Sequence, residues 1–394
     1  MSNNLSNTKH ILHPYEFLNM TIKDIYDMLN YLICECLCSK FKEKLDGFSI
    51  LCGIGKNGDP IFIRNNSDVN SKNGGMSLEE IRNKYISNKH QYDVFNTCCS
   101  ALYEKLKDNS FIEKYGLQYN EHKRTILGCE CLINGITNIM SYNIDENQIY
   151  VHYKKTFVKD KDNGKYIEIA DEEIEDSNRY VIKQKYELPF YKKLIDDFYF
   201  DLLTYVSKYG FNENDTFDSI YKEVFFKDVS PSWLIKDNKI YERIFNGNKS
   251  DCSAKFLKSM FTDSQYKTLM DEKYLRSLIN DTKRDISIMF ARFENQLIDS
   301  LSGFLNENNQ KETRSQMYKN LYKLECKIIG NCNIQEYEKN KFINNYKILK
   351  SDNCLQNYIP ITEGLVFVYK NMRMKMTGSF AVLNQLMGIR YLFE

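Results

Sequence analysis

The period of the hydrophobic pattern changes several times along the chain, and each change predicts a change of element. Residues 21–41, TIKDIYDMLNYLICECLCSKF, carry apolar side chains at three- and four-residue spacing, which predicts an amphipathic helix; Thr21 followed by Asp24 reads as its capping signal. From Asp46 to Arg64 the text turns into short apolar runs around glycines. Two strands are expected there, with a turn at Gly55, Gly58 and the Asp59–Pro60 step. A polar loop, NNSDVNSKNGG, follows, and Ser77 with Glu80 forms a capping box that opens another helix. A second β-rich region runs from about Thr125 to Phe157 through TILGCECLI, ITNIMSY and QIYVHYKKTF. The acidic run IADEEIEDSNR beyond it reads as a mobile connection.

From about Leu188 to Lys350 the period is helical, with LPFYKKLIDDFYFDLLTYVSKYG, a nearly continuous helical text from Asp263 to Asn306, and two further segments. Strand text returns in YIPITEGLVFVYKNMRMKMTGSF, read as two strands joined at Lys370 and Asn371, before a helical AVLNQLMGI. The whole predicts an α+β chain. A helical segment spans residues 1–40, a first core part 41–185, an all-helical insertion 186–350, and a closing hairpin and helix 351–394.

Strand alternation singles out charges. Leu127, Cys129, Cys131 and Ile133 form one apolar face, leaving Gly128 and Glu130 on the other. Three methionines, Met372, Met374 and Met376, share a face opposite Arg373 and Lys375. Glu363 opens a strand whose next residues are nearly all apolar, and in EKLDGFSI Lys44 and Asp46 share a face beside the bare backbone of Gly47. Each taken singly also fits a half-buried antiparallel strand with a solvated charged face.

Composition narrows the class. The 394 residues, 42% of them apolar, suffice for one or two domains with real cores. Because 54 Lys and Arg face 53 Asp and Glu, there is no global pull toward nucleic acid, and any such surface is local. No run is long enough to cross a bilayer, and MSNNLSNTKH lacks the apolar core of a secretion signal. An intracellular, cytoplasmic protein without membrane contact is the expectation. The 12 cysteines lack zinc-knuckle spacing and read as buried free thiols.

The order of the charged strands resembles the covalent nucleotidyltransferase superfamily of ATP-dependent DNA ligases, RNA ligases and mRNA capping enzymes. In K-x-D-G, Lys44 resembles the motif I nucleophile, completed by Asp46 and Gly47. Arg64 resembles the arginine that follows motif I and contacts the nucleotide, and Glu130 in GCECL the motif III acid. Glu363 and Gly364 resemble motif IV, and Lys375 the motif V lysine, with Arg373 as a helper. EKLDG, IRNNSD, GGMS, TEGLVF and TGSFAVLNQ are also similar to a group of uncharacterised tailed-phage proteins, which implies a viral origin and a host cytoplasm. The match covers roughly residues 40–155 and 357–381. It implies two antiparallel sheets around a nucleotide cleft.

What the resemblance implies for chemistry follows from the amine. A free lysine, with a pKa of about 10.4, is almost wholly protonated at neutral pH, so the site must lower that value by burial and neighbouring cations. Lys375 and Arg373 would supply the positive charge, and Glu130 and Glu363 would hold Mg²⁺ or the ribose hydroxyls. ATP is the implied nucleotide and a polynucleotide end, RNA or DNA, the implied partner. Phe62, Phe367 and Tyr369 are candidate walls for adenine, though each also fits plain core. Motif IV of the ligases ends in a lysine where this chain has Val368, and only nineteen residues follow Lys375, too few for an OB-fold domain. An RNA-ligase-like arrangement, with the helical insertion as accessory domain, accommodates both departures. Two other classes remain open: a ligase-derived fold serving as a nucleotide-binding or phage structural module without chemistry, and a capping-like or protein-modifying nucleotidyltransferase.

Overall fold

A computed structural model describes residues 11–45, 47–64, 66–87, 89–133, 146–174, 182–234, 236–246, 254–302 and 362–378. The expected ITNIMSY strand, the two later helical segments of the middle region and the helix AVLNQLMGI lie outside the described residues. The chain is α+β. Its strands are β1 (Lys42–Lys44), β2 (Phe48–Ile54), β3 (Pro60–Ile63), β4 (Lys123–Leu132), β5 (Gln148–Lys159), β6 (Tyr166–Glu173), β7 (Lys183–Gln184), β8 (Leu301–Ser302), β9 (Gly364–Tyr369) and β10 (Met372–Met376). They form an antiparallel sheet of three, in the order β1-β9-β10, an antiparallel sheet of five, β3-β2-β4-β5-β6, and the short pair β7-β8.

The three-stranded sheet joins distant parts of the sequence. Lys370 and Asn371 both have positive φ (46° and 63°), the condition of a two-residue turn whose twist matches its strands. That turn sets Tyr369 against Met372, Val368 against Arg373 and Val366 against Lys375. β1 lies on the other side of β9, with Lys44 opposite Gly364. Alternation then divides the sheet. Leu365, Phe367, Met374 and Met376 are buried in a core built with α1 (Ile22–Leu29), α5 (Leu188–Ser207), α6 (Phe217–Val224) and α10 (Glu272–Asp299). The amino-terminal helix, the helical middle and the closing hairpin therefore share one apolar core rather than packing as separate units.

The larger sheet is covered on one face by α2 (Leu78–Tyr85), α3 (Lys89–Leu106) and α4 (Asn109–Tyr115). Ile50, Cys52, Phe62, Leu127, Cys129, Cys131 and Val151 pack there against Ile81, Val94, Cys98 and Leu102. The opposite face carries Leu51, Ile61, Ile63, Ile126 and Phe157. A third cluster joins α7 (Asn238–Asn246), α8 (Ala254–Met260) and α9 (Asp263–Met270) to α10 through Tyr241, Leu257, Leu269 and Leu278. Cys38, Cys52, Cys98, Cys99, Cys129 and Cys131 are buried free thiols, as read from their scatter. Burial pushes the Cys38 thiol up to about 12.

Two elements differ from the sequence reading. The first helix keeps its Thr21–Asp24 capping box, but after Leu29 it widens into a π-helical stretch, Asn30–Glu35. It ends where Leu37 and Cys38 take positive φ, short of Phe41. The acidic connection is in part strand. Residues 169–173 belong to β6, which pairs with the lysine-rich β5. Glu172 meets Lys154 at 2.9 Å, and Glu168 forms a buried ion pair with Lys155 at 3.0 Å. Cross-strand opposite charges thus stabilise a segment with poor intrinsic strand propensity.

Candidate functional site

The structure brings Lys44, Gly47, Glu130, Glu363, Arg373 and Lys375 to the region where the two sheets meet. Lys44 ends β1, and its Nζ forms an ion pair with Oε1 of Glu363, the residue just before β9. Their side chains are 22% and 11% exposed. Gly364 permits this arrangement. Its φ is +145°, and a Cβ there would sit 2.1 Å from the carbonyl oxygen of Met376, so a larger residue would force β9 away from the end of β10.

Lys375 lies on β10, on the face opposite Met374 and Met376, and is only 6% exposed. Burial lowers its pKa to about 8, helped by the positive charge of Lys44 and opposed by Glu16, Glu363 and Glu294. With a pKa near that value, roughly a tenth of the molecules carry a neutral amine there at pH 7. Arg373, two residues earlier, places its guanidinium carbon 4.7 Å from the ring centroid of Tyr153 on β5. This contact ties the hairpin to the larger sheet. Val368 pairs directly with Arg373, so this position and the guanidinium share a strand face.

Gly47 brings the segment that follows β1 against β4. A Cβ on Gly47 would lie 2.7 Å from the Cys131 carbonyl oxygen and 2.8 Å from Glu130 Cγ, so glycine is what lets the chain pass against β4. Glu130 pairs with Ser49 across the strands, and its Oε2 lies 3.7 Å from His152 Nε2. Next to it on the same face, Gly128 lies under the Tyr153 ring, 2.2 Å from where a Cβ would be. Asp46 falls outside the described residues.

Arg64 is not part of this cluster, contrary to the expectation that it contacts the nucleotide. It follows Ile63 on β3 with the facing of Phe62, toward the helices. There its guanidinium stacks 4.3 Å from the Phe95 centroid and donates to the Tyr85 hydroxyl. The aromatic walls also need correction. Phe62 is fully buried against α2 and α3, while Phe367 and Tyr369 face the helical core, Phe367 edge-on to Phe41 and Tyr369 beside Tyr31. Lys370, on the opposite strand face from Glu363, points to Asp24 of α1 at 3.9 Å.

Sequence reasoning missed Tyr153, His152, Glu16 and Glu294. A signal existed for Tyr153 alone: a glycine on a strand face invites an aromatic ring from its neighbour. Among the described residues no group of three His, Cys, Asp or Glu side chains is placed to hold a metal ion. A site that binds Mg²⁺ through one or two carboxylates and substrate phosphates does not require such a group. Among them, too, no helix is long and apolar enough to cross a membrane. No protein-family model, curated protein or solved structure matches the chain.

Proposed function

We propose that the protein is a covalent nucleotidyltransferase that forms a lysyl-AMP at Lys44 and passes the AMP to an RNA or DNA end. The observation that carries the reading is the contact of Lys44 with Glu363 beside a buried Lys375 of lowered pKa. These residues come from opposite ends of the chain and stand in the order of the ligase motifs. Lys44 is the more exposed of the two amines, which favours it as the nucleophile.

In the reaction, Lys44 Nζ bonds to the α-phosphorus of ATP, the bond to the pyrophosphate oxygen breaks, and pyrophosphate leaves in line. Lys44 attacks as the neutral amine, its protons passing to solvent, with the Glu363 carboxylate beside it. Lys375 in its charged form, with Arg373, offsets the negative charge that gathers on the phosphate. Glu130 and Glu363 supply oxygen atoms suited to Mg²⁺, which when bound neutralises phosphate charge. Glu363 becomes available to it as Lys44 loses its own charge. Tyr153, under the Arg373 guanidinium, is an aromatic surface beside the cluster. The Lys375 pKa supports a second reading of the same site, in which Lys375 takes the nucleotide and Lys44 assists.

The reading is tested by incubating the protein with α-labelled ATP and Mg²⁺, then adding nicked duplex DNA or 5′-phosphorylated RNA. Label that appears on the protein and moves to a polynucleotide end supports a ligase. Label that stays on protein supports the capping-like or protein-modifying class. No label from any nucleoside triphosphate leaves a binding or structural module.

A further inference from the structure

The chain just beyond Lys375 is anchored to the longest helix by a buried carboxylate. Glu294 of α10 is 1% exposed, and its Oε2 accepts the backbone N–H groups of Thr377 at 2.9 Å and Gly378 at 2.7 Å. Among the described residues its Oε1 takes no hydrogen bond; it lies 3.7 Å from Nδ1 of His13, a side chain 5% exposed that likewise makes no hydrogen bond at that atom. Burying a carboxylate is costly unless its hydrogen bonds are made, and here only one oxygen makes them. Plain packing would favour an apolar residue at this position.

The neighbouring geometry indicates what the carboxylate does. β10 ends at Met376, the last residue paired with β9, so among the described residues Thr377 and Gly378 have no strand partner and Glu294 takes that place. Gly378, at φ +51°, comes so close to α10 that a Cβ would meet Asn295 Oδ1 at 2.0 Å. On the outer edge Leu12 bridges Met374 in parallel and accepts the Lys375 N–H at 3.0 Å. The backbone carrying Lys375 is thus fixed by β9, by the amino-terminal segment, and by α10.

We propose that Glu294 is a positioning residue for Lys375: its two backbone hydrogen bonds stop the end of β10 from fraying and hold the Lys375 amine over the Lys44–Glu363 pair. The helical middle thereby contributes to the lysine cluster itself. The consequence for catalysis rests on the lysyl-nucleotide reading, where a displacement of about 1 Å can cost about a hundredfold in rate.

The test compares Glu294→Ala, which removes the acceptor, with Glu294→Gln, whose amide oxygen can accept both N–H groups. At saturating α-labelled ATP, Glu294→Ala is expected to label Lys44 at least about tenfold more slowly with the half-saturating ATP concentration unchanged, and Glu294→Gln to recover most of the rate. Two readouts are independent of activity. A short amine-to-amine cross-linker joins Lys44 and Lys375 in wild type and Glu294→Gln but not in Glu294→Ala. The Thr377 and Gly378 amides exchange slowly with deuterium in the first two and fast in the third. Equal cross-linking and exchange in all three overturn the proposal, as does a wild-type labelling rate in Glu294→Ala. A wild type that takes no label overturns the enzymatic reading alone, and cross-linking and exchange still decide the role of Glu294. Should Glu294→Ala fail to fold, fast exchange of the two amides in the native protein overturns the anchor, and slow exchange shared with Glu294→Gln supports it.

Discussion

Replacing Lys375 with methionine should make the protein more stable while abolishing nucleotide labelling. Lys375 is 6% exposed and its pKa falls from the ordinary 10.5 to about 8. At about 1.4 kcal/mol per tenfold change in proton affinity, its charged form is disfavoured by roughly 3 kcal/mol on folding. Between these two values the unfolded chain binds more protons than the native one, so stability rises with pH across that window. Below about pH 8 the penalty is present in full. Lys375→Met keeps the length and apolar stem of the side chain and removes the charge. It is expected to gain about 2–3 kcal/mol at neutral pH, a gain that shrinks toward zero as the pH approaches about 10.5. Urea unfolding of both proteins at about pH 7 and about pH 9.5 measures this as a difference in midpoint at constant slope. Equal or lower stability of the methionine variant at neutral pH, or a gain independent of pH, would refute the claim that the site holds a buried ammonium at the expense of stability.

Other substitutions probe the rest of the cluster. Lys44→Ala leaves Glu363 buried beside an empty space, so urea unfolding should show a loss of about 1–3 kcal/mol. Lys44→Arg should keep the ion pair and stability yet take no label, because a guanidinium is not a nucleophile at neutral pH. Gly47→Ala sets a methyl group against Glu130 and Cys131, and is expected to cost about 1–3 kcal/mol in unfolding and to slow labelling sharply. Arg373→Ala should lower the labelling rate. Arg64→Ala should leave that rate near wild type while destabilising the α2–α3 face by about 1–2 kcal/mol, and a large rate loss there would mean that Arg64 reaches the nucleotide.

How far the sequence discloses the site depends on whether neighbours in the chain are neighbours in space. Glu130 was legible because the alternation of Leu127, Cys129, Cys131 and Ile133 fixes the faces of β4 without reference to any other strand. The same holds for Arg373 and Lys375 opposite the three methionines. Arg64 was misplaced because Ile61, Phe62 and Ile63 are all apolar, so periodicity does not say which face follows. Only the packing of Tyr85 and Phe95 on the helix side settles it. The strand character of residues 169–173 comes from lysines on β5, and the role of Glu294 from a hairpin far along the chain. Neither partner is visible in a local window. The pairing of Lys44 with Gly364 is likewise non-local; the resemblance implies a shared cleft for the two segments but not this pairing.

The central claim, that Lys44 is the residue that takes the nucleotide, is tested most directly by intact mass and peptide mapping after incubation with ATP and Mg²⁺. One AMP is expected to be added, removed by mild acid as a phosphoramidate is, located on the peptide containing Lys44, and absent from Lys44→Arg. AMP mapped to any other residue, or an unchanged mass in protein that is folded and has Lys44 within cross-linking distance of Lys375, would contradict it.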